Sequence, residues 1–245
     1  MNQYEQLNSN LSYLNLENIR QNLNEYISKV NDHKISFSEA LLDLTNKEIN
    51  YQHQLELERR IQRARFPIIK KIEEFDFNFQ PSINFQSISE LTTMSFLAKR
   101  ENVIFIGSPG VGKTHLAIGL GVKACEQGVR TLFINCHELM LRLQKAQEKQ
   151  HLERVIRRYE RYDLLIIDEL GYLPLATDDA NLLFQLINGR YERKSTIVTT
   201  NMPLSSWGVV LHNLAAAEAI LDRLVYHSHI IKIKGKPYRL MNGQQ

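Results

Sequence analysis

The stretch GSPGVGKT, residues 107–114, constrains this chain more than any other. It has the form G-x-x-x-x-G-K-[ST], and its flanks fix the setting: NVIFI ahead of it reads as a continuous apolar strand, and THLAIGLGVKACEQG continues from it with helical period to Gly128. A glycine-rich turn between a buried strand and a helix lets successive backbone N–H groups converge on a phosphate at the helix N-terminus. Gly107, Ser108, Pro109, Gly110, Val111, Gly112, Lys113, Thr114 and His115 are therefore the candidate nucleotide-binding residues. Lys113 is expected to reach the β/γ-phosphate oxygens of the nucleotide, and the Thr114 hydroxyl to ligate Mg²⁺.

Around that turn the apolar, often β-branched runs NVIFI, TLFIN, DLLIID, STIVTT and HIIKIK alternate with segments of helical length. Such alternation predicts a parallel sheet covered by helices on both faces. The first 75 residues differ: they contain no glycine and one proline, Pro67, and read as helices. Ser36 and Glu39 have capping-box spacing ahead of Phe37, Ala40, Leu41 and Leu44, so a helix is expected to start there and to run to about Arg65, before Pro67. The polar and aromatic text from Phe75 to Leu97 suits a linker leading into a short helix. The expected fold class is α/β: a P-loop domain with a central parallel sheet over residues 76–245, linker at its start, preceded by a small all-helical domain over 1–75.

Composition narrows the class. No run approaches the roughly 18 uninterrupted apolar residues of a membrane helix, and the start lacks a secretory pattern, so a soluble cytoplasmic protein with no membrane partner is expected. Cys125 and Cys136 are too few for a disulfide framework and read as small core residues.

A bound triphosphate is hydrolysed when a carboxylate completes the Mg²⁺ site and another group orients the attacking water. YDLLIIDEL offers both, with Asp168 and Glu169 at the carboxyl end of a buried strand, where ligands of open α/β sheets gather. Asp168 is read as the Mg²⁺ partner and Glu169 as the water-polarising base. Asn201, ending STIVTTN, is placed to report the γ-phosphate, although asparagine also ends strands for turn reasons alone. Arg223 lies on an expected amphipathic helix and can neutralise transition-state charge, from a neighbouring subunit in particular; from spacing alone a solvent-exposed helix arginine is the better account, and Arg239 has the same ambiguity.

These motifs, in order over about residues 85–240, resemble the IstB family of insertion-sequence transposition helpers, within the AAA+ ATPases and close to DnaC-type helicase loaders. The resemblance implies an AAA+ fold, ATP and Mg²⁺ binding, homo-oligomers that assemble on DNA, and partnership with a transposase. It gives Lys113 and Thr114 the P-loop roles, Asp168 and Glu169 the acidic motif, Asn201 the sensor, Arg223 the arginine finger and Arg239, more weakly, a second sensor. A replicative helicase loader would share nearly all of these motifs.

Two basic stretches are candidate duplex-DNA contacts. Arg59, Arg60, Arg63 and Arg65, followed by Lys70 and Lys71, form a cluster with no acid among them. Arg154, Arg157, Arg158 and Arg161 recur at i, i+3, i+4 and i+7 beside the apolar series Leu152, Val155, Ile156 and Tyr159, so one helix would pack one face and present guanidinium groups on another. Neither stretch carries a base-reading motif, so contacts are expected to be mainly to phosphates and to weaken steeply with salt.

Overall fold

The five apolar runs form the five strands of one sheet: β1 (Asn102–Gly107), β2 (Thr131–Asn135), β3 (Leu164–Leu170), β4 (Ser195–Thr200) and β5 (Ser228–Ile233). The computed structural model describes residues 2–172 and 177–238. All pairings are parallel, in the order β2-β3-β4-β1-β5. Strand period 2 divides the core into two layers. Ile104, Ile134, Ile167 and Val198 join one cluster, whereas Val103, Phe105, Phe133, Ile166 and Ile197 join the other. Strands β1 to β4 are thus apolar on both faces, which is why their runs are continuous, whereas the edge strand β5 turns Ile231 and Ile233 to the core and leaves Ile230 exposed.

The helices that cover the sheet follow in chain order after three amino-terminal ones: α1 (Gln3–Tyr13), α2 (Glu17–Asn31), α3 (Phe37–Ala64), α4 (Phe85–Thr92), α5 (Ser95–Ala98), α6 (Lys113–Glu126), α7 (Cys136–Glu148), α8 (Leu152–Glu160), α9 (Thr177–Arg190), α10 (Trp207–Val210) and α11 (Leu214–Val225). Among the described residues no helix is long and apolar enough to cross a membrane. Both cysteines are buried and free, and burial pushes the Cys136 thiol up to about 12.

The chain divides into two compact units, 1–59 and 60–245. In the first, Leu11, Ile19, Leu23, Tyr26, Ala40 and Leu44 make a small core. The expected capping box starts α3: the Ser36 amide donates to Glu39 Oε2 at 2.8 Å and the Glu39 amide donates to Ser36 Oγ at 3.2 Å. Of the apolar series behind it Ala40 and Leu44 are buried, but Phe37 and Leu41 are exposed.

The division falls at Arg59/Arg60, not near residue 75 as the sequence suggests. The reason is packing. A Cβ on Gly121 would collide with the Phe66 ring and one on Gly119 with the Ile72 side chain, so these two glycines of α6 make room for the chain after α3. The following segment holds the expected short helix, α4, but is not a free linker, since Phe75, Ile83, Ile88 and Leu91 are buried in the same core cluster as Leu116 and Phe105.

Candidate nucleotide site

The P-loop joins β1 to α6 at the carboxyl edge of the sheet. Gly110 and Gly112 have φ of 80° and 102°, angles an L side chain avoids, and Gly112 caps α6, whose first amides have no intrahelical acceptor. Gly107 answers a different demand: a Cβ there would collide with the Ile233 carbonyl of β5. Val111 is fully buried and anchors the loop, while Ser108 and Pro109 are exposed. Lys113 Nζ donates to the Gly107 carbonyl at 2.8 Å and to the Ser108 carbonyl at 2.9 Å, so the ammonium folds back across the loop. Burial pushes its pKa down, against the opposing pull of Asp168 and Glu169. His115 faces elsewhere, with Nε2 2.8 Å from the Lys71 carbonyl and its ring edge-on to Phe75. Phe75 and Tyr238 close over Gly112, and the Tyr238 amide donates to the Gly110 carbonyl at 2.9 Å.

Thr114 and Asp168, 54 positions apart, meet here: Thr114 Oγ1 donates to Asp168 Oδ1 at 2.9 Å. The same oxygen accepts from Thr199 Oγ1 at 2.6 Å. Asp168 is only 6% exposed, and burial pushes its pKa up while the two hydroxyls pull it down and the Glu169 charge raises it further. A buried carboxylate whose hydrogen bonds come from neutral hydroxyls, beside a lysine on a glycine-capped helix, suits a hard cation carried by a polyphosphate.

Glu169 follows at φ 62°, where the register between β3 and β4 shifts. Such a left-handed residue costs roughly 1–2 kcal/mol and bends the strand so that Asp168 stays buried while Glu169 is exposed. Its amide donor is satisfied by Thr199 Oγ1 at 2.9 Å, and its Oε2 accepts from Asn135 Nδ2 at 2.8 Å. Thr199 and Asn135 are thus parts of the site that the sequence reading left inside or at the end of a strand. Their signal was polar character at the carboxyl ends of apolar runs. Asn201 follows β4, and its Oδ1 is buried without a hydrogen-bond partner, an acceptor awaiting a donor.

Arg223, on α11, contacts neither acid. Its Nε donates to Asn188 Oδ1 at 2.8 Å and its Nη1 to the Ala219 carbonyl at 3.0 Å, with the guanidinium 4.8 Å above the Phe184 ring. Arg239 lies outside the described residues.

The two basic stretches converge in part, through Arg60, Arg63 and Arg65 of one and Arg158 and Arg161 of the other, while Arg59 ends the first unit. In α8, Ile156 and Tyr159 are buried, whereas Arg154, Arg157, Arg158 and Arg161 stand exposed, Arg157 paired with Glu153 at 2.8 Å. Arg158 and Arg161 share a groove of about 670 Å³ with Arg60, Arg63 and Arg65, to which Arg130 adds a guanidinium that the sequence reading did not select. Arg158 and Arg161 also line a depression of about 810 Å³ together with His151, Glu153, Arg154 and Arg157.

The chain matches the model of the IstB-like ATP binding protein family over residues 9–245. It is 44% identical to the ATP-binding protein of insertion sequence IS232 from Bacillus thuringiensis subsp. berliner, over 98% of this chain and 96% of that one. With the ATP-binding protein of insertion sequence IS21 from Pseudomonas aeruginosa it shares 41% identity, over 94% and 87% of the two chains. Among solved structures it is similar to the DnaC helicase loader, at 26% identity and a TM-score of 0.52, over 62% of this chain and 92% of that one. A P-loop between β1 and α6, an acidic pair on β3 one strand removed across β4, and these likenesses agree: the chain belongs to the family of IstB-like ATP binding proteins and is an ATPase with the P-loop AAA+ fold.

Proposed function

We propose that this ATPase is a transposition helper: with ATP bound it oligomerises on duplex DNA, holding it mainly through phosphates, and in that state recruits or stimulates a transposase. The observation that carries the DNA part is the groove in which Arg60, Arg63 and Arg65 meet Arg130, Arg158 and Arg161, a density of guanidinium groups suited to a phosphate backbone. The relatives' own designations as insertion-sequence proteins support the transposition part.

The residues divide the chemistry as follows. Lys113 exchanges its two loop carbonyls for β/γ-phosphate oxygens. Thr114 and Asp168 would hold a Mg²⁺ ion that arrives with the nucleotide and neutralises charge on its oxygens. Glu169 polarises the attacking water once Asn135 releases it, since a carboxylate committed to that amide is less available as a base. Asn201 meets the γ-phosphate side of the site, and Arg223 serves the nucleotide of a neighbouring subunit, so that hydrolysis follows assembly and then dissolves it.

ATPase rate and sedimentation, with and without duplex DNA, test this reading. DNA plus ATP should give large oligomers, trapped by Glu169→Gln and uncoupled from hydrolysis by Arg223→Ala. A monomer that hydrolyses ATP at the same rate with or without DNA overturns it. The likeness to the DnaC helicase loader favours a second reading, a replicative helicase loader. Pull-down with a transposase and with a replicative helicase separates the two.

A further inference from the structure

Arg223 is held unlike three arginines on other helix faces. Arg20, Arg142 and Arg157 each pair with a glutamate one turn away, Glu17, Glu138 and Glu153. Arg223 touches only neutral groups: the Asn188 side-chain oxygen, the Ala219 carbonyl, and the rings of Phe184 and Tyr191, at 4.8 and 5.9 Å. Among the described residues no carboxylate pairs with it. Fixing an arginine side chain costs up to about 2 kcal/mol of rotamer entropy, and here two hydrogen bonds and two aromatic faces offset that cost. The result is a cation that is oriented but not neutralised. Such a group is built to meet an anion from outside the subunit.

We propose that Asn188, with Phe184 and Tyr191, forms a cradle on α9 and the turn after it that aims Arg223 at the nucleotide phosphates of a neighbouring copy, Asn188 being the positioning residue. The proposal rests on the reading of Arg223 as a group that acts in trans. An asparagine suits the task because its amide oxygen accepts from Nε without cancelling the charge. An aspartate would make the same bond and neutralise the guanidinium.

The test compares Asn188→Asp, Asn188→Ala and Arg223→Ala in the full chain with ATP, Mg²⁺ and random-sequence duplex DNA. Asn188 is exposed, so folding should survive. Asn188→Asp is expected to lower the DNA-stimulated kcat by about tenfold or more, a share of the 10³–10⁵ that a finger arginine supplies, with KM for ATP and assembly on DNA unchanged. Asn188→Ala should fall between it and the wild type.

Mixing separates positioning in trans from a role within the subunit. Asn188→Asp copies keep an intact hydrolytic site, and Glu169→Gln copies keep an intact Arg223, so a mixture should recover turnover that neither has alone. Failure of the mixture to recover activity overturns the proposal. So does wild-type turnover by both Asn188 variants while Arg223→Ala is inactive, in which case Arg223 acts without the cradle. Wild-type turnover by Arg223→Ala removes the trans role of Arg223 itself, and the cradle with it.

Discussion

Asp163 and Asp168 stand five positions apart, the first immediately before β3 and the second near its carboxyl end, and are treated in opposite ways. At the amino end, Asp163 accepts from Arg130 at 3.0 Å and from Lys194 at 2.5 Å. Burial pushes its carboxyl up, but the two cations more than reverse that and bring it down to about 2. Nearby, the fully buried Arg190 donates to the carbonyls of Tyr159, Tyr162 and Ser195 and to the Thr196 hydroxyl. At the carboxyl end, Asp168 has only hydroxyl donors and a raised pKa, Lys113 has only carbonyl acceptors and a lowered one, and Asn201 keeps a buried oxygen without a partner. One end of the sheet saturates its polar groups and holds the fold. The other leaves them under-satisfied, which is the condition for binding a charged ligand.

The largest expected effects should therefore separate by end. Lys113→Ala and Asp168→Asn are expected to cut ATP turnover by about 10³-fold. Asp168→Asn should leave the melting temperature unchanged or raise it, because the amide oxygen still accepts from Thr114 and Thr199 without a buried charge. A steady-state ATPase assay beside a thermal melt reads both, and a variant that melts early yet turns over normally would break the comparison. Arg190→Met should do the reverse. Three carbonyls lose their buried donor, so a loss of about 3 kcal/mol is expected in denaturant titration, with ATP affinity of the folded protein unchanged. Burial pulls Arg190 down to about 9, which marks how little water reaches it.

A smaller effect probes the site itself. Asn135→Ala removes the donor to Glu169 Oε2, a charge-assisted bond of about 1.5 kcal/mol, and frees the carboxylate. The DNA-independent ATPase rate should rise by up to about tenfold, read with and without duplex in the same assay. A fall in rate would mean that Asn135 holds Glu169 in its working posture and not in reserve.

The parts of this site that were legible in sequence are those carried by spacing along one element. GSPGVGKT between a strand and a helix, and Asp168–Glu169 at the end of an apolar run, need no knowledge of which strands are neighbours. Asn135 and Thr199 do. Their contact with the acidic pair follows from β2 and β4 flanking β3, with Asn135 in register with Asp168, and nothing local encodes that order. The left-handed turn at Glu169 was equally silent, since the residue type disfavours it and only the shifted register between β3 and β4 accompanies it. The same holds for the unit boundary: Phe66 and Ile72 read as a basic, proline-broken tail until Gly121 and Gly119 of α6 are seen beneath them. Continuous apolar runs mark the strands, an acid-free run of cations marks one arginine cluster and helical period the other, but their convergence with Arg130 needs the third dimension.

The smallest effect sharpens the contrast most directly, because it gives the two aspartates opposite signs. Asp163 has a folded pKa of about 2, below the roughly 3.9 of a free aspartate, so its stabilising contribution is complete above about pH 4 and disappears as pH falls through 2. With about a third of its side chain exposed, screening reduces that contribution to about 1 kcal/mol. Asp168 is shifted upward, so its contribution is present in acid and lost as pH rises through its folded value. Denaturant titrations of wild type, Asp163→Asn and Asp168→Asn at a series of pH values isolate each term by difference. The wild type minus Asp163→Asn should decline toward acid, and the wild type minus Asp168→Asn should decline toward base. If both differences slope the same way, the carboxyl end is neutralised by a cation that its neutral hydroxyl partners do not reveal, and the division of labour along β3 fails.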